Sequence, residues 1–198
     1  MLVSPGDGAA VAVAPIPTNP QQSQATIPPP AQPAAPALVP EADAAGPPSP
    51  APSIPVRLLI PSLNLDATVE EVGVDSTGAM ATPHRLNDVG WYSPGPAPGM
   101  GGDAVIDGHL GLPGSPLVFG DLPRLGVGDV VTTVGADGLR RRFRVTSSTS
   151  WPANSHPTGL FDPSGPPRLT LITCGGAYLR NSQKYTDRLI VEAEYIGS

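Results

Sequence analysis

The sequence predicts an all-β domain, built either as a barrel or as a sandwich of sheets. From residue 56 onward, short runs of β-branched and aliphatic residues follow one another at close spacing, with turn-forming residues between them. Only residues 116–123 could form even a short helix, and a proline bounds that segment at each end. Many short strands with almost no helix are typical of barrels and sandwiches.

The strand pattern recurs along the chain from residue 56 almost to its end. Residues 56–60 and 67–74 form the first two runs, and a turn at residues 61–66 separates them. The segment Asp75-Ser76-Thr77-Gly78 closes the second run. The later runs are residues 102–106, 129–134, 139–145, 168–173 and 188–193.

Two of these runs are joined by Gly135-Ala136-Asp137-Gly138. An Asp-Gly pair between β-branched residues favours a tight turn, so the segment predicts a β-hairpin. The second run of this hairpin carries Arg140-Arg141-Arg142 and Arg144. Alternate residues of a strand face opposite sides, and the arginines are interpreted as belonging to a solvated strand at a sheet edge.

Proline divides the chain into two parts. Of its 28 prolines, 15 fall in residues 1–55, a segment with no Lys, no Arg and no aromatic residue. Such a composition cannot bury enough apolar surface to offset the entropy of ordering it, so residues 1–55 are predicted to be a disordered Pro/Ala-rich tether. The remaining residues, 56–198, are numerous enough for one hydrophobic core and form the predicted folded domain.

Charge and cysteine content narrow the class of function. With 11 Lys and Arg against 17 Asp and Glu, the formal net charge is -6, which predicts no nucleic-acid partner. The single cysteine excludes an internal disulfide. The most apolar N-terminal window, residues 9–16, is too short to span a bilayer and is interrupted by Pro15.

Cys174 is the first candidate for chemistry. It ends the apolar run Leu169-Thr170-Leu171-Ile172-Thr173 and is followed by Gly175-Gly176, which would leave the sulfur open to a substrate backbone. The alternative is a small buried hydrophobic residue. A thiol becomes a useful nucleophile only beside a base or a cation, so the choice depends on which His and Arg residues reach it.

His109 is the strongest candidate base, because it follows the run Ala104-Val105-Ile106-Asp107-Gly108 and so lies at a second strand end. His84 and His156 lie in turn-like surroundings and are interpreted as solvated loop residues. Two arginines could supply the cation: Arg188, at the head of the last strand, and Arg180, in a polar loop. Spacing alone does not choose between them, and either could instead form a surface ion pair.

Three motifs in order carry a family resemblance: Asp107-Gly108-His109, Thr170-Leu171-Ile172-Thr173-Cys174-Gly175-Gly176 and Tyr185-Thr186-Asp187-Arg188. Together they resemble the His, Cys and Arg motifs of the sortases, over about residue 56 to the end. The resemblance implies an eight-stranded sortase-type β-barrel with short helical turns. It also implies Cys174 as nucleophile, His109 as general acid and base, Arg188 as the residue that stabilises the oxyanion, and Thr173 in the wall of the substrate groove.

Further stretches, at residues 72–75, 78–83 and 89–95, look like the actinobacterial class E and class F sortases, with class F closer. Many class F relatives carry Asn in place of Arg188 and Arg in place of Arg180, whereas this chain holds Arg at both positions. The family is normally anchored in the membrane with its catalytic domain outside the cell. We therefore expect this protein at the extracellular face of the cell membrane and the sequence to be truncated at its start.

The function that follows from the resemblance is a cysteine transpeptidase. It would cleave the C-terminal LPXTG-type sorting signal of a protein substrate and pass the acyl group to an amine acceptor such as a peptidoglycan precursor, acting as a monomer without a cofactor. One cysteine and three histidines without paired spacing predict no metal site of the zinc type, and the scattered carboxylates predict no calcium site.

Three alternatives remain open. A cysteine hydrolase of the same fold would use the same residues, and only the products formed with and without an amine distinguish it. An L,D-type cell-wall transpeptidase also uses Cys and His, but its usual Ser-His-Gly-Cys neighbourhood is missing around Cys174. A non-catalytic cell-wall-binding module would need none of these residues.

Overall fold

The computed structural model of the chain describes residues 52–198. Eight of its strands close a barrel in the order β1-β2-β3-β4-β9-β10-β8-β7, and β5 and β6 form a small separate hairpin. The strands are β1 Pro55–Ile60, β2 Leu65–Val72, β3 Val89–Tyr92, β4 Asp103–Gly108, β5 Gly111–Leu112, β6 Ser115–Pro116, β7 Val130–Gly135, β8 Arg140–Pro152, β9 Arg168–Leu179 and β10 Lys184–Gly197. Apart from 3₁₀ turns at Pro61–Leu63 and Leu122–Arg124, residues 52–198 contain no helix. The predicted eight-stranded, all-β barrel is confirmed.

Every run with the strand pattern forms a strand, but two features differ from the prediction. The four-residue strand β3 was not predicted, because Val89, Gly90 and Trp91 are all buried and the alternation of polar and apolar residues is missing. Residues 116–123 do not form a helix along their length. Their start belongs to β6, and the only helical turn there, Leu122–Arg124, runs past their end.

The predicted hairpin at residues 135–138 connects β7 to β8, with the Gly138 N–H donating to the Gly135 carbonyl. The interpretation of β8 as an edge strand is wrong, because β8 pairs with β7 on one side and with β10 on the other. Its arginines alternate: Arg140 and Arg142 are exposed, whereas Arg141 is buried and bonds both carboxylate oxygens of Asp137, at 3.2 and 2.7 Å. This pairing lowers the pKa of Asp137 to about 2.

The hydrophobic core fills the interior of the barrel. Its largest fully buried side chains are Phe119, Phe143, Leu58, Ile60, Ile106, Leu122, Leu169 and Leu171. Because alternate residues of a strand face inward, each of the eight barrel strands contributes side chains to this core.

The predicted tether comprises residues 1–55, and its residues 1–51 lie outside the described residues. The described part begins in contact with the barrel. The Asp137 N–H donates to Ser53 Oγ at 3.2 Å, the Ala136 N–H donates to the Ile54 carbonyl at 2.8 Å, and β1 starts at Pro55.

Candidate active site

Three neighbouring strands, β4, β9 and β10, build the candidate site. Cys174 of β9 lies directly opposite Arg188 of β10, and two residues earlier Ile172 lies opposite Ile190. On the other side of β9, Asp107 of β4 pairs with Ile172 in a parallel arrangement. Residues that pair across neighbouring strands point to the same face of the sheet. Asp107, Ile172 and Ile190 therefore form one row across it.

His109 comes two residues after Asp107, one residue beyond the end of β4. On the same face of the sheet, two residues further along β9 than Ile172, Cys174 lies beside Arg188. All these residues line one cleft of about 420 Å³. The fold thus brings together the cysteine, one histidine and one arginine from three motifs that are far apart in the sequence.

Two loops form the remaining walls of this cleft. One contributes Gly78, Ala79, Met80 and Thr82. The other is the loop after β8, which contributes Ala153, Ser155, His156, Pro157, Leu160 and Phe161, next to Trp151 and Pro152 at the end of β8 itself. Most of these side chains are apolar, so the cleft offers a hydrophobic surface with few polar groups beside the thiol. An extended peptide with apolar side chains fits such a surface.

The ring of His109 has one of its nitrogens engaged. Its Nε2 lies 3.3 Å from the Pro83 carbonyl oxygen. A carbonyl only accepts, so a hydrogen bond here requires the proton on Nε2, and in the neutral ring Nδ1 then carries the free lone pair. Nδ1 is therefore the nitrogen that can take a proton from a reacting group.

Burial raises the pKa of the Cys174 thiol above its ordinary value. The Arg188 guanidinium opposes this rise, and the Asp107 carboxylate adds to it. At neutral pH the resting sulfur is therefore mostly protonated, and it needs a base to become a nucleophile.

Asp107 is a carboxylate to which the sequence assigned no role, although it is part of the His motif. Burial raises its pKa to about 6, while His109 and Arg188 oppose that rise. Its position beside Ile172 places it one row from Cys174. A carboxyl followed by Gly-His at a strand end was the only sequence signal that could have pointed to it.

The two candidate arginines are placed very differently. Arg188 is half-buried in the cleft, with Nη1 donating to the Asp187 carbonyl at 3.2 Å. Within residues 52–198, no carboxylate forms an ion pair with Arg188. The two nearest acidic residues in the sequence bond to serines instead: Asp187 Oδ2 accepts from Ser150, and Glu192 Oε2 accepts from Ser147. Arg180 is exposed in the turn between β9 and β10, about 20 Å along the chain from Cys174 and outside the cleft.

Thr173 faces the opposite side of β9 from Cys174. Its side chain is completely buried, and its hydroxyl donates to the Gly108 carbonyl at 2.7 Å. It is absent from the lining of the cleft, so its contact with the site is indirect. The hydroxyl ties β9 to the residue that precedes His109.

The prediction that Cys174 ends its strand is wrong, because β9 continues through Gly175 and Gly176 to Leu179 and stays paired with β10. The two glycines therefore have a different role from the one expected. Neither lines the cleft; both face β10, where a β-bulge sets two residues of β9 opposite Thr186. Gly176 has a φ of 73°, and a Cβ there would lie 2.3 Å from Thr186 Oγ1. They serve strand pairing, not access to the sulfur.

A second cleft, of about 450 Å³, reaches the same sulfur from another direction. It is lined by Ala153, Asn154, Cys174, Gln183, Lys184, Tyr185 and Arg188, and it does not include His109. Ala153, Cys174 and Arg188 thus form the wall that the two clefts share.

No group of three or more His, Cys, Asp or Glu residues is arranged to hold a metal ion in the described part of the chain. His84 lies away from the cleft, with Nδ1 3.2 Å from Glu70, whereas His156 lines the cleft. The expectation that His156 is an ordinary loop residue therefore missed its position in the cleft wall, which depends on how the loop after β8 folds back.

Comparison with known proteins agrees with this architecture. The sortase domain model matches residues 58–196. Sortase C1 from Streptococcus agalactiae has 23% sequence identity and a TM-score of 0.56, and the match covers 72% of this chain and 67% of that chain. Sortase C1 from Streptococcus suis has 23% identity and a TM-score of 0.56, with 74% of each chain covered.

A lid mutant of sortase A from Corynebacterium diphtheriae has 21% identity and a TM-score of 0.56, with 73% of this chain and 71% of that chain covered. No curated protein matches the sequence. These structural likenesses concern the fold, and the domain match covers most of the chain.

The chain belongs to the sortase family, and it is a sortase-type cysteine transpeptidase. Sortases are associated with the cell surface. Within residues 52–198, no helix has the length and apolar character needed to cross a membrane.

Proposed function

We propose that this sortase cleaves the C-terminal LPXTG-type sorting signal of protein substrates at the extracellular face of the cell membrane. It then transfers the acyl group to an amine acceptor of the cell wall, such as a peptidoglycan precursor. One observation carries the proposal: Cys174 lies opposite Arg188 on the neighbouring strand, and both line the same cleft as His109. We also assign the chain to class F, as an anchored enzyme that acts as a monomer.

In the first half of the reaction, His109 Nδ1 takes the proton of the Cys174 thiol, and the sulfur attacks the scissile carbonyl. The carbonyl oxygen becomes negative, and Arg188, which has no competing ion pair among the described residues, donates to it. The C–N bond then breaks. His109 gives its proton to the leaving amine, and the acyl group remains on sulfur as a thioester.

In the second half, the acceptor amine attacks the thioester carbonyl and His109 takes the proton that the amine loses. The C–S bond breaks, the new amide leaves, and the proton on His109 returns to the Cys174 sulfur. The thiol and the neutral imidazole are thus restored, and neither an oxidant nor a metal enters the balance.

The shared wall of the two clefts supports transfer over simple hydrolysis. An acyl-peptide that fills the cleft beside His109 leaves the second cleft open, and the two clefts share only Ala153, Cys174 and Arg188. An acceptor amine can then bind in the second cleft while the acyl group is still on the thiol. A hydrolase needs no second binding surface for water.

The experiment uses a peptide with an LPXTG sequence, with and without a small amine such as triglycine, and separates the products by mass spectrometry. We expect the peptide to be cleaved and the amine to appear joined to its acyl half. Cleavage that yields only the free acid at every amine concentration would assign the chain to the hydrolases.

Variants test the assigned roles. Cys174→Ala and His109→Ala should abolish turnover while the fold remains intact, because both side chains lie at the surface of the cleft. His156→Ala is the matched control. His156 lines the same cleft but has no assigned part in the reaction, so its substitution should alter KM at most. Turnover in the Cys174 variant equal to that of the wild type would end the transpeptidase proposal.

A further inference from the structure

The segment that follows the first cleft loop lies between a glutamate and the active-site histidine. On one side, the His84 N–H donates to Glu70 Oε2 at 2.9 Å and the Arg85 N–H donates to Oε1 at 3.1 Å. On the other side, the Pro83 carbonyl oxygen lies 3.3 Å from His109 Nε2. Each oxygen of Glu70 therefore holds one backbone amide of this segment.

The two sides are connected through a single rigid group. The Pro83 carbonyl and the His84 N–H belong to the same peptide unit, which is planar, and residues 52–198 contain no cis peptide bond. In a trans peptide the C=O and N–H point in opposite directions. When Glu70 holds the N–H, it aims the carbonyl at the imidazole.

We propose that Glu70 is a positioning residue of the active site, which sets the orientation and tautomer of His109 through the peptide unit between Pro83 and His84. The inference rests on the proposed role of His109 as acid and base. With the Pro83 carbonyl fixed, the ring keeps its proton on Nε2 and presents Nδ1 to the thiol. Without Glu70, the peptide unit can rotate and Nδ1 can carry the proton instead.

The environment of Glu70 agrees with this role. Its side chain is 20% exposed, and it lies outside the lining of both clefts that reach Cys174, so it has no access to a bound substrate. The backbone N–H of His84 is the main reason that the pKa of Glu70 is lowered. The imidazole of His84 also reaches Glu70, at 3.2 Å, but it is 91% exposed and water can replace it.

The test compares Glu70→Ala, Glu70→Gln and Glu71→Ala in the full chain. Glu71 is the next residue of β2 and is exposed, so its variant controls for loss of a carboxylate nearby. Three quantities are measured: the ring ¹⁵N chemical shifts of His109 at a pH where the ring is neutral, the kinetic constants for peptide cleavage, and the melting temperature. The His109 signals are assigned from their loss in His109→Ala.

We expect the wild type and Glu71→Ala to show the Nε2–H tautomer, and Glu70→Ala to shift toward Nδ1–H. We expect kcat to fall about ten- to a hundredfold in Glu70→Ala, as misplacement of a catalytic group does. Glu70→Gln keeps one acceptor oxygen, so its tautomer population and its kcat should lie between those of the wild type and those of Glu70→Ala. It also carries the test if the alanine variant does not fold.

The inference is overturned if Glu70→Ala and Glu70→Gln keep the tautomer of the wild type, whatever happens to kcat, because Glu70 would then act on something other than the ring. The tautomer is read in the absence of substrate. The result therefore stands apart from the proposed function, which fails if Cys174→Ala still turns over the peptide or if the wild type releases only the free acid.

Discussion

Cys174 lies between two groups of opposite charge that act on its proton in opposite directions. Arg188 favours the thiolate and Asp107 favours the thiol, and both lie within two residues of it along or across the strands. Because burial also favours the thiol, the resting enzyme holds the sulfur in its protonated form. The reactivity of the sulfur therefore depends on the charge state of Asp107.

Asp107 makes the stability of the fold depend on pH. Its carboxyl keeps the proton up to a pH of about 6 in the folded chain, against an ordinary pKa of 3.8. The folded state thus binds more protons than the unfolded chain between these values, so the free energy of unfolding falls as pH rises through this window. The loss is complete above about pH 6 and amounts to about 3 kcal/mol.

Asp107→Asn should remove this pH dependence of the free energy of unfolding. It should also raise the melting temperature at pH 7 relative to the wild type, because the half-buried position 107 then holds no ionised carboxylate. Melting curves of both proteins at several pH values from 4 to 7 measure the effect. The same variant should move the pH profile of Cys174 alkylation to lower pH, since the charge that favours the thiol is gone. Parallel melting profiles and unchanged alkylation would contradict the assignment.

The two arginines give the second prediction at this scale. Arg188→Ala should lower turnover about a hundredfold to a thousandfold, the usual cost of losing one oxyanion donor, because its backbone is fixed opposite Cys174. Arg180→Ala should act through substrate affinity, if at all. Arg188→Lys should rescue only partly, since it keeps the charge but loses the planar donors. Steady-state kinetics measure all three, and a large loss in Arg180→Ala with a mild one in Arg188→Ala would reverse the roles.

At the scale of the element, the pairing of β9 with β10 sets the position of the nucleophile. The bulge between Tyr185 and Asp187 lets the two strands stay paired on both sides of Thr186, and the Ala177 N–H donates to Thr186 Oγ1 at 3.0 Å. The bulge needs a left-handed residue at Gly176. Beyond it, Cys174 meets Arg188 in register.

Gly176→Ala should therefore be destabilising, by about 1 to 3 kcal/mol, because alanine is strained at a φ of 73° and its Cβ would clash with Thr186. Urea denaturation measures the loss. Gly126→Ala is the control, since that glycine has no left-handed φ and the nearest atom to its added Cβ is 3.9 Å away. Equal stability of the two variants would show that the bulge does not require glycine.

At the scale of the whole molecule, closure of the barrel depends on its first strand. β1 pairs with β2 on one side and with β7 on the other, so it joins the two ends of the sheet. Ser53 and Ile54 add hydrogen bonds to the β7–β8 hairpin just before that strand. A truncation from the N-terminus that preserves the fold therefore has to retain the residues from 52 onward.

We expect deletion of residues 1–51 to leave the melting temperature and peptide cleavage nearly unchanged, because that segment is rich in proline and has no aromatic or basic residue. Deletion of residues 1–60 removes β1 and should abolish cooperative unfolding. Calorimetry and the cleavage assay compare the two proteins with the full chain. A large loss in the shorter deletion would show that the N-terminal segment contributes to the domain or to its cleft.

Much of the fold was predictable because β-structure leaves a local signature. Turn residues and short β-rich runs marked most of the barrel strands, and the Asp-Gly pair located the β7–β8 hairpin. The signature fails where a strand is short and buried on both faces, as in β3. It is also misleading in β8, where exposed Arg140 and Arg142 conceal that both edges of the strand are paired.

The sequence by itself determined the all-β class and the position of His109 at a strand end, because both follow from residues adjacent in the chain. Only the tertiary structure decided that Arg188, and not Arg180, faces the thiol, since that depends on the register of β9 against β10. It alone half-buried Asp107 in the cleft near the thiol and raised its pKa. It alone connected Glu70 to His109, which lie 39 positions apart in the sequence, because hydrogen bonds across a closed barrel join residues that no local pattern relates.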